Sequence, residues 1–306
     1  MDVITVGPDE VRSLISMTDA IEAVREGFLA LGRDEFEMPT RTVLRGGQFL
    51  VMSAHHRPTE SAMIKTLSLN FARTPAIVGT VVWSELGRTD HLVADAGTVT
   101  AVRTGAIVGA ATELLAPADA SACTIVGAGG QAADQVRAVH AVRPLSSLRV
   151  VDRDLGRAEQ LAALASSELG IADTSIGDDA EDGVGGAGIV CCATTATTPL
   201  FRLEALSPEA HVNAIGAFRP SMRELPDELL ADAIVVIDEL AAILEESGEV
   251  IHAIESGAIA ENDLIELSAA LGGGVPRRSG RTVFKSVGVA VQDWAIARLL
   301  AQKCLA

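Results

Sequence analysis

The sequence predicts an α/β protein that combines a doubly wound, Rossmann-type domain with an α+β domain. In the second half, short apolar runs alternate with amphipathic helical segments, which is typical of a parallel sheet. In the first part, β-rich runs follow one another without helices between them. The 306 residues, 48% of them hydrophobic, suffice for two domains. We expect one domain to comprise residues 1–118 completed by 285–306, and the other residues 119–284.

The elements of the first domain can be assigned in order. Residues 2–6 form a strand, and Ser16 or Thr18 caps a helix that carries Ile21, Val24 and Phe28 on one face. Five further strands are expected at residues 40–44, 48–53, 62–69, 79–84 and 91–95. Strands in succession indicate an antiparallel or mixed sheet. A long helix over residues 98–115 then ends where Pro117 disfavours its continuation.

The second domain alternates between the two kinds of element. Strands are expected at residues 122–126, 148–152, 188–193, 211–215 and 234–238, with helices such as 131–142 and 157–168 between them. The glycine-rich run 183–188 precedes a strand and lacks the lysine of a P-loop, so it predicts a turn. Residues 283–306 predict a turn and then a helix that packs on the first domain or lies at a subunit interface.

A glycine turn between the strand at 122–126 and the following helix predicts a dinucleotide-binding βαβ unit. Gly127 allows the tight turn, and Gly129 lets the backbone approach a pyrophosphate. Gly130 and Gln131 complete the turn, where the helix N-terminus offers free N–H groups to phosphates. Asp152, which ends the next apolar run, is placed to accept hydrogen bonds from the adenosine ribose.

The bulk composition excludes several classes of partner. A net charge of −17 makes nucleic acid and anionic membranes poor partners. No apolar stretch approaches the roughly 20 residues that span a membrane, and the start lacks the basic residues of a signal peptide. The four cysteines form no CxxC pair and the histidines show no ligand spacing. We therefore expect a cytoplasmic protein without a structural metal.

Seven stretches of the chain, in order, match one protein family. They are residues 38–41, 64–65, 92–106, the glycine turn, 193–195, 212–217 and 283–288. On these motifs the chain resembles the ornithine cyclodeaminase/μ-crystallin family over almost its full length. The resemblance implies a homodimer in which residues 119–284 bind a nicotinamide dinucleotide. Residues 1–118 and the C-terminal helix then form the substrate and dimerisation domain.

The resemblance also implies the roles of three cations. Arg41, Lys65 and Arg103 align with the residues that bind the substrate in the family. A small-molecule carboxylate suits them physically, because a guanidinium pairs with a carboxylate through two hydrogen bonds. Lys65, held among arginines and partly buried, should have a lowered pKa. We expect it to be the catalytic residue that hydrogen-bonds or protonates a carbonyl, imine or amine nitrogen.

One position departs from the cyclodeaminase pattern. Those enzymes carry an acid directly after the Gly-Ala or Gly-Gly at the end of this strand, where Phe218 stands here. A phenyl ring cannot accept a proton, but it can pack against a small apolar ring of a substrate. The run 216–226 looks like the branch that reduces Δ1-pyrroline-2-carboxylate. The alternative is that Phe218 is a packing residue outside the pocket.

On the cofactor side, the resemblance places Thr194 and Thr195 against the dinucleotide. It places Ser286, Val287 and Gly288 beside the nicotinamide. Asp152 favours NAD(H), because a carboxylate repels a 2′-phosphate. Arg153 could bind that phosphate instead, so NADP(H) stays open.

The expected function is NAD(P)H-dependent reduction of a small cyclic α-imino acid to the L-amino acid. The substrate would be Δ1-pyrroline-2-carboxylate or Δ1-piperideine-2-carboxylate. Family membership does not settle the reaction, because one scaffold supports several chemistries. The alternatives are an alanine-dehydrogenase or opine-type amino-acid dehydrogenase, an ornithine cyclodeaminase, and a non-catalytic ligand-binding protein that keeps the dinucleotide fold.

Overall fold

The computed structural model describes residues 2–70, 72–275 and 280–305. The chain divides into two compact units, one of Met1–Ile107 with Val289–Ala306 and one of Val108–Gly288. These limits lie close to the split expected at residues 118 and 285. They differ because Val108, in the middle of a helix, already belongs to an apolar core of the second unit.

Strands and helices are numbered here in chain order. The strands are β1 (Val3–Val6), β2 (Phe36–Glu37), β3 (Thr42–Leu44), β4 (Phe49–His56), β5 (Ser61–Leu69), β6 (Ile77–Glu85), β7 (His91–Asp95), β8 (Ala122–Val126), β9 (Ser147–Val151), β10 (Asp173–Gly177), β11 (Ile189–Cys192), β12 (His211–Ala214), β13 (Ile234–Ile237), β14 (Leu264–Glu266) and β15 (Thr282–Lys285). The helices are α1 (Pro8–Leu14), α2 (Met17–Gly32), α3 (Ala96–Leu115), α4 (Ala132–Val142), α5 (Leu155–Leu169), α6 (Ala180–Gly183), α7 (Asp227–Asp232), α8 (Leu240–Glu246), α9 (Gly248–Glu255), α10 (Leu267–Ala269) and α11 (Ala290–Cys304).

The first unit contains a mixed sheet, as the succession of strands predicts. Its strand order is β1-β7-β6-β5-β4-β2, and β3 pairs with β4. β1 runs parallel to β7, whereas the other neighbours are antiparallel. Side chains alternate between the two faces of a strand. On β5, Met63, Lys65 and Leu67 are therefore buried on one face while Ile64 is exposed on the other.

Helices α2 and α11 supply the apolar layer of the first unit. Ser16 caps α2, because its hydroxyl accepts the N–H of Asp19 at 3.1 Å. The buried residues of α2 include Ile21, Val24 and Phe28. Helix α11 packs against α2 and against strands β4–β7. The expectation that the C-terminal helix packs on the first domain is thus confirmed, and this places its N-terminal residues over the face that carries Lys65.

The second unit is a parallel sheet with the strand order β10-β9-β8-β11-β12-β15-β13-β14. Neighbouring residues of β8 and β9 enter two different apolar clusters, as Ile125 and Val126 of β8 do. Cys191 and Cys192 of β11 are divided in the same way. The strand order reverses direction between β8 and β11, which is the position where doubly wound sheets bind ligands.

Three short strands of this sheet, β10, β14 and β15, were not predicted. The expectation that a turn begins at Val283 is wrong, because Thr282–Lys285 forms β15 between β12 and β13. The strand is only four residues long and ends in a charged residue, so its apolar pattern is too brief to stand out. Lys285 and the three residues after it consequently belong to the second unit.

Candidate active site

A buried lysine–carboxylate pair lies in the first unit. Lys65 on β5 and Asp293 on α11 are both fully buried. Lys65 Nζ donates a hydrogen bond to Asp293 Oδ1 at 2.7 Å. The packing of α11 across the sheet brings the two side chains together, although they are 228 residues apart in the chain.

Two arginines surround this pair. Arg103 of α3 is buried, and its Nε lies 3.6 Å from Asp293 Oδ1. Its Nη1 donates a hydrogen bond to the side-chain oxygen of Gln292. Arg41, which directly precedes β3, is near enough for its charge to act on Lys65. We call Arg41, Lys65 and Arg103, with the carboxylate of Asp293, the cation cluster. Contacts join Lys65 and Arg103 to Asp293, whereas Arg41 acts on Lys65 through its charge.

The environment of Lys65 lowers its pKa to about 8, as expected from the sequence. Burial is the largest cause, because it penalises the charged ammonium, and the charges of Arg103 and Arg41 act in the same direction. The charge of Asp293 and its hydrogen bond act in the opposite direction. Lys65 can therefore both hold and release a proton near neutral pH.

The cluster has hydrogen-bonding capacity that the protein does not use. Gln292 Nε2 and Asp293 Oδ2 are buried and have no hydrogen-bond partner among the described residues. Buried polar groups are normally paired, so these two atoms are candidate partners for a bound polar molecule. With three cations and one carboxylate, the cluster suits an anion that also carries a polar atom.

In the second unit, the turn after β8 has the geometry that a dinucleotide requires. Gly127 has a φ of +99°, and a Cβ there would lie 2.6 Å from the carbonyl oxygen of Ala193. A Cβ on Gly129 or Gly130 would meet nothing within 4 Å, so the backbone is open to a ligand. Gln131 occupies the N-cap of α4 without a capping side-chain hydrogen bond. The turn fits a pyrophosphate at a helix N-terminus.

Asp152 holds this turn in place. Its Oδ2 accepts the N–H of Ala128 at 2.6 Å, and its Oδ1 accepts the N–H of Asp154 at 2.8 Å. The carboxylate is thereby fixed at the end of β9 beside the glycine turn, and Arg153 next to it is exposed. Asp152 thus positions the loop, a role that the sequence did not reveal, and it keeps unused lone pairs for a ribose.

The loops after β11 and β12 are joined by one carboxylate. Glu224 Oε1 accepts hydrogen bonds from Thr194, at 2.6 Å from the backbone nitrogen and 2.8 Å from Oγ1. Glu224 Oε2 accepts the N–H groups of Gly216 at 2.8 Å and Ala217 at 3.1 Å. Thr194 is half-buried in this arrangement, whereas Thr195 is exposed.

Phe218 directly follows Ala217 in the loop after β12. Its ring is half-buried and packs against the apolar cluster of the second unit. The guanidinium of Arg219 lies 5.3 Å from the ring centroid, within the range of a cation–π contact. Part of the ring therefore serves as packing, as the alternative interpretation of this residue anticipates.

The loop after β15 is fixed by a buried acid. Asp238 Oδ2 accepts hydrogen bonds from Ser286 Oγ at 2.8 Å, from the N–H of Val287 at 3.0 Å and from that of Gly288 at 2.8 Å. Burial raises the pKa of Asp238, and these hydrogen bonds oppose the shift. Gly288 has a φ of +84°, a conformation that glycine adopts without strain.

Several polar residues of these sites were not predicted from the sequence. They are Glu224, Asp238, Glu249, Lys285, Gln292 and Asp293. The available signal was a charged or amide side chain inside an apolar segment, as in the run Val291–Trp294. Such residues are rarely buried unless they are paired. The pattern therefore marks them as members of a buried network but does not name their partners.

In the ranges that the structure describes, no group of three His, Cys, Asp or Glu residues could hold a metal ion. Cys123, Cys191, Cys192 and Cys304 are all free thiols. Among the described residues, no helix combines the length and the apolar character that crossing a membrane requires.

The chain is similar to known proteins of one family. The model of the ornithine cyclodeaminase/mu-crystallin family matches residues 4–306. A Delta(1)-pyrroline-2-carboxylate reductase of Bacillus cereus is 31% identical over 324 residues, which cover 99% of this chain and 97% of that protein. The ketimine reductase mu-crystallin of Mus musculus is 34% identical over 209 residues, covering 68% of this chain and 63% of that protein.

Solved structures give the same result. The Delta(1)-pyrroline-2-carboxylate reductase of Thermococcus litoralis, in complex with NADH and L-proline, superposes with a TM-score of 0.93 at 29% identity. The match covers 99% of this chain and 97% of that one. An archaeal alanine dehydrogenase dimer with bound NAD superposes with a TM-score of 0.91 at 26% identity, covering 100% and 97%. The chain therefore belongs to the ornithine cyclodeaminase/mu-crystallin family.

Proposed function

We propose that this protein reduces a small cyclic α-imino acid, Δ1-pyrroline-2-carboxylate or its six-membered homologue, to the L-amino acid with NADH. The observation that carries the proposal is the buried Lys65–Asp293 pair flanked by two arginines. It provides an ionisable proton donor beside a binding site for a carboxylate. Two relatives that are similar over nearly the whole chain, those of Bacillus cereus and Thermococcus litoralis, are named for the same reaction.

The cation cluster would bind and polarise the substrate. Arg41 and Arg103 pair with the carboxylate, and their fixed positions orient the imine. Lys65 donates its proton to the imine nitrogen, which makes the adjacent carbon a better hydride acceptor. A pKa of about 8 leaves Lys65 largely protonated at pH 7 and still acidic enough to give up the proton. Asp293 keeps the ammonium in place before the transfer.

The second unit would hold the cofactor. The glycine turn binds the pyrophosphate through its backbone N–H groups, and Thr194, Thr195 and the loop from Ser286 to Gly288 border the rest of the dinucleotide. Bound NADH supplies the hydride that joins the imine carbon, while the proton joins the nitrogen, so the C=N bond becomes CH–NH. The fixed carboxylate of Asp152 favours NADH over NADPH, because it repels a 2′-phosphate.

The test is the loss of NADH absorbance in the presence of Δ1-pyrroline-2-carboxylate, with NADPH in a parallel reaction. We expect rapid oxidation of NADH with the cyclic imine and loss of most activity in Lys65→Met. NADH binding by that variant should be unchanged, since Lys65 lies in the other unit. Full turnover by Lys65→Met would remove Lys65 from the mechanism.

A second candidate is an amino-acid dehydrogenase that uses pyruvate and ammonia. It is favoured by the likeness to the archaeal alanine dehydrogenase at 26% identity. The same assay separates the two functions, because activity with pyruvate plus ammonia and none with the cyclic imine would establish the second. Formation of proline from L-ornithine would instead indicate a cyclodeaminase, which we do not favour because Phe218 stands where those enzymes carry an acid.

We also propose a homodimer that covers the exposed face of the first sheet. Leu44, Phe49, Ile64 and Val78 are each between 41% and 51% exposed. The strand registers place them on one face, opposite to Lys65. An apolar patch of this kind marks an interaction surface, and one structural relative is described as a dimer. Light scattering of the purified protein should give twice the chain mass, and a monomer would refute the proposal.

A reducing compartment, the cytoplasm, is part of the same proposal. It is supported by the four cysteines, which are all free although three of them are buried. Cell fractionation with an antibody against the protein tests it, and recovery outside the cytoplasm would refute it.

A further inference from the structure

A second buried cluster of charges lies in the second unit. Glu224, Glu249 and Lys285 are all fully buried. Lys285 Nζ lies 2.8 Å from Glu249 Oε1, and the backbone N–H of Glu224 donates to Glu249 Oε2 at 3.2 Å. Lys285 thus pairs with Glu249, and its charge also acts on the nearby carboxylate of Glu224. Burying a carboxylate is costly unless it is well paired, so Glu224 requires a separate reason to be there.

The donors around Glu224 provide that reason. Its Oε1 faces the N–H of Thr194, and its Oε2 faces the N–H groups of Gly216 and Ala217. Both oxygens must therefore accept. An ionised carboxylate does so, whereas a protonated acid or an amide would direct a donor against one of these N–H groups. The geometry selects the ionised form of glutamate.

The two loops that Glu224 joins lie at the ligand-binding edge of the sheet. Thr194 follows β11, and Gly216 follows β12, the neighbouring parallel strand. Parallel strands end at the same edge, and β11 borders the reversal of strand order. The loops touch closely, because a Cβ on Gly216 would lie 2.3 Å from the carbonyl oxygen of Thr194. Fastening these loops fixes the backbone that borders the dinucleotide.

We propose that Glu224 is a positioning residue for NADH. Its ionised carboxylate holds the loops after β11 and β12 in the conformation that binds the cofactor, and protonation of Glu224 releases these loops. The inference deepens the proposed function and rests on it. Glu224 itself touches neither substrate nor reacting atoms in this scheme. It acts through Thr194, Gly216 and Ala217.

The charges around Glu224 set the pH at which this occurs. Burial and the charge of Glu249 raise the pKa of Glu224, whereas Lys285 and the Thr194 hydrogen bonds lower it, and the net pKa is about 7. The thiol of Cys192 also faces this cluster, but burial raises its pKa well above the ordinary value, so it stays neutral. Below pH 7 the binding-competent fraction should shrink, and the Kd for NADH should rise by about tenfold per pH unit.

The experiment is a fluorescence titration of the full chain with NADH between pH 6.0 and 8.5. For the unmodified protein we expect the Kd to be constant at high pH and to rise below about pH 7. Glu224→Gln should bind NADH at least tenfold more weakly at pH 8, with no further rise toward pH 6. The matched control is Glu168→Gln, which removes an exposed carboxylate of the same unit that pairs with Arg137. It should behave as the unmodified protein does.

If Glu224→Gln binds NADH with unchanged affinity, or with an unchanged pH dependence, the inference about Glu224 is overturned but the proposed function is not. Absence of NADH binding by the unmodified protein overturns the proposed function as well. If Glu224→Gln does not fold, Glu249→Gln gives the answer. It removes the repulsion that raises the pKa of Glu224, so the midpoint should move to lower pH, and a midpoint that stays or rises overturns the inference.

Discussion

The contact between Lys65 and Asp293 leads to a quantitative prediction for Asp293→Asn. The substitution keeps the shape of the side chain but removes the negative charge 2.7 Å from Lys65 Nζ. A hydrogen bond to a charged group contributes about 1.5–3 kcal/mol, and one pKa unit corresponds to about 1.4 kcal/mol. The pKa of Lys65 should therefore fall by roughly one to two units from its value of about 8.

The consequence for activity depends on pH. If protonated Lys65 is the acid, kcat/KM falls as pH rises through the pKa of the free enzyme. At pH 8, where about half of the lysine is protonated in the unmodified protein, the variant should lose roughly 5- to 50-fold in kcat/KM. At pH 6, where about half or more of Lys65 is still protonated in the variant, the loss should be about twofold or less.

The assay is NADH oxidation with Δ1-pyrroline-2-carboxylate across this pH range. The control is Glu26→Gln, which removes an exposed carboxylate of α2. Glu26 pairs at 3.0 Å with Arg298, which lies on α11 as Asp293 does. We expect its profile to coincide with that of the unmodified protein. A uniform loss at every pH in Asp293→Asn, or an alkaline limb that does not move, would refute the reasoning.

Three further predictions concern single residues. Gly127→Ala should abolish NADH binding, because its Cβ would clash with a backbone oxygen at 2.6 Å. Titration calorimetry with NADH tests this prediction. The control is Gly272→Ala, because a Cβ there meets nothing within 4 Å. Arg103→Lys should raise KM for the imine by about 10- to 100-fold at unchanged KM for NADH, since a lysine cannot form the paired hydrogen bonds; an unaltered KM would exclude Arg103 from carboxylate binding. Phe218→Asp should slow cyclic imine reduction while Phe218→Leu retains it, and equal rates would place the ring outside the pocket.

The long, strongly periodic elements could be predicted from the sequence. The strands from β4 to β7 and the alternating pattern of the second unit carry enough residues to display their period. Strands β10, β14 and β15 contain at most two apolar residues in a row and were missed. Their place in the sheet is decided by pairing with neighbours distant in the chain, and a local pattern does not contain that information.

The candidate site divides along the same line. Motif stretches identified Lys65 and Arg103, and elementary electrostatics gave the direction of the pKa shift of Lys65 before any geometry was available. Asp293 and Glu224 escaped because their importance lies in which partners they meet. The fold brings Asp293 of α11 against Lys65 of β5. It also places the side chain of Glu224 between the loops that follow β11 and β12. Both are tertiary contacts, so the composition of the chain and the spacing of its residues do not predict them.

The distance along the chain between Lys65 and Asp293 has a consequence for biosynthesis. A ribosome completes the first sheet, with its lysine, long before it makes the helix that carries the matching carboxylate, because the whole second unit is translated in between. Until then, the apolar face that α11 will cover remains open to solvent, and Lys65 need not be desolvated. A nascent chain therefore cannot form the Lys65–Asp293 pair until α11 has been made. Covering the apolar face of the first sheet and burying this pair are one event, because both require the packing of α11.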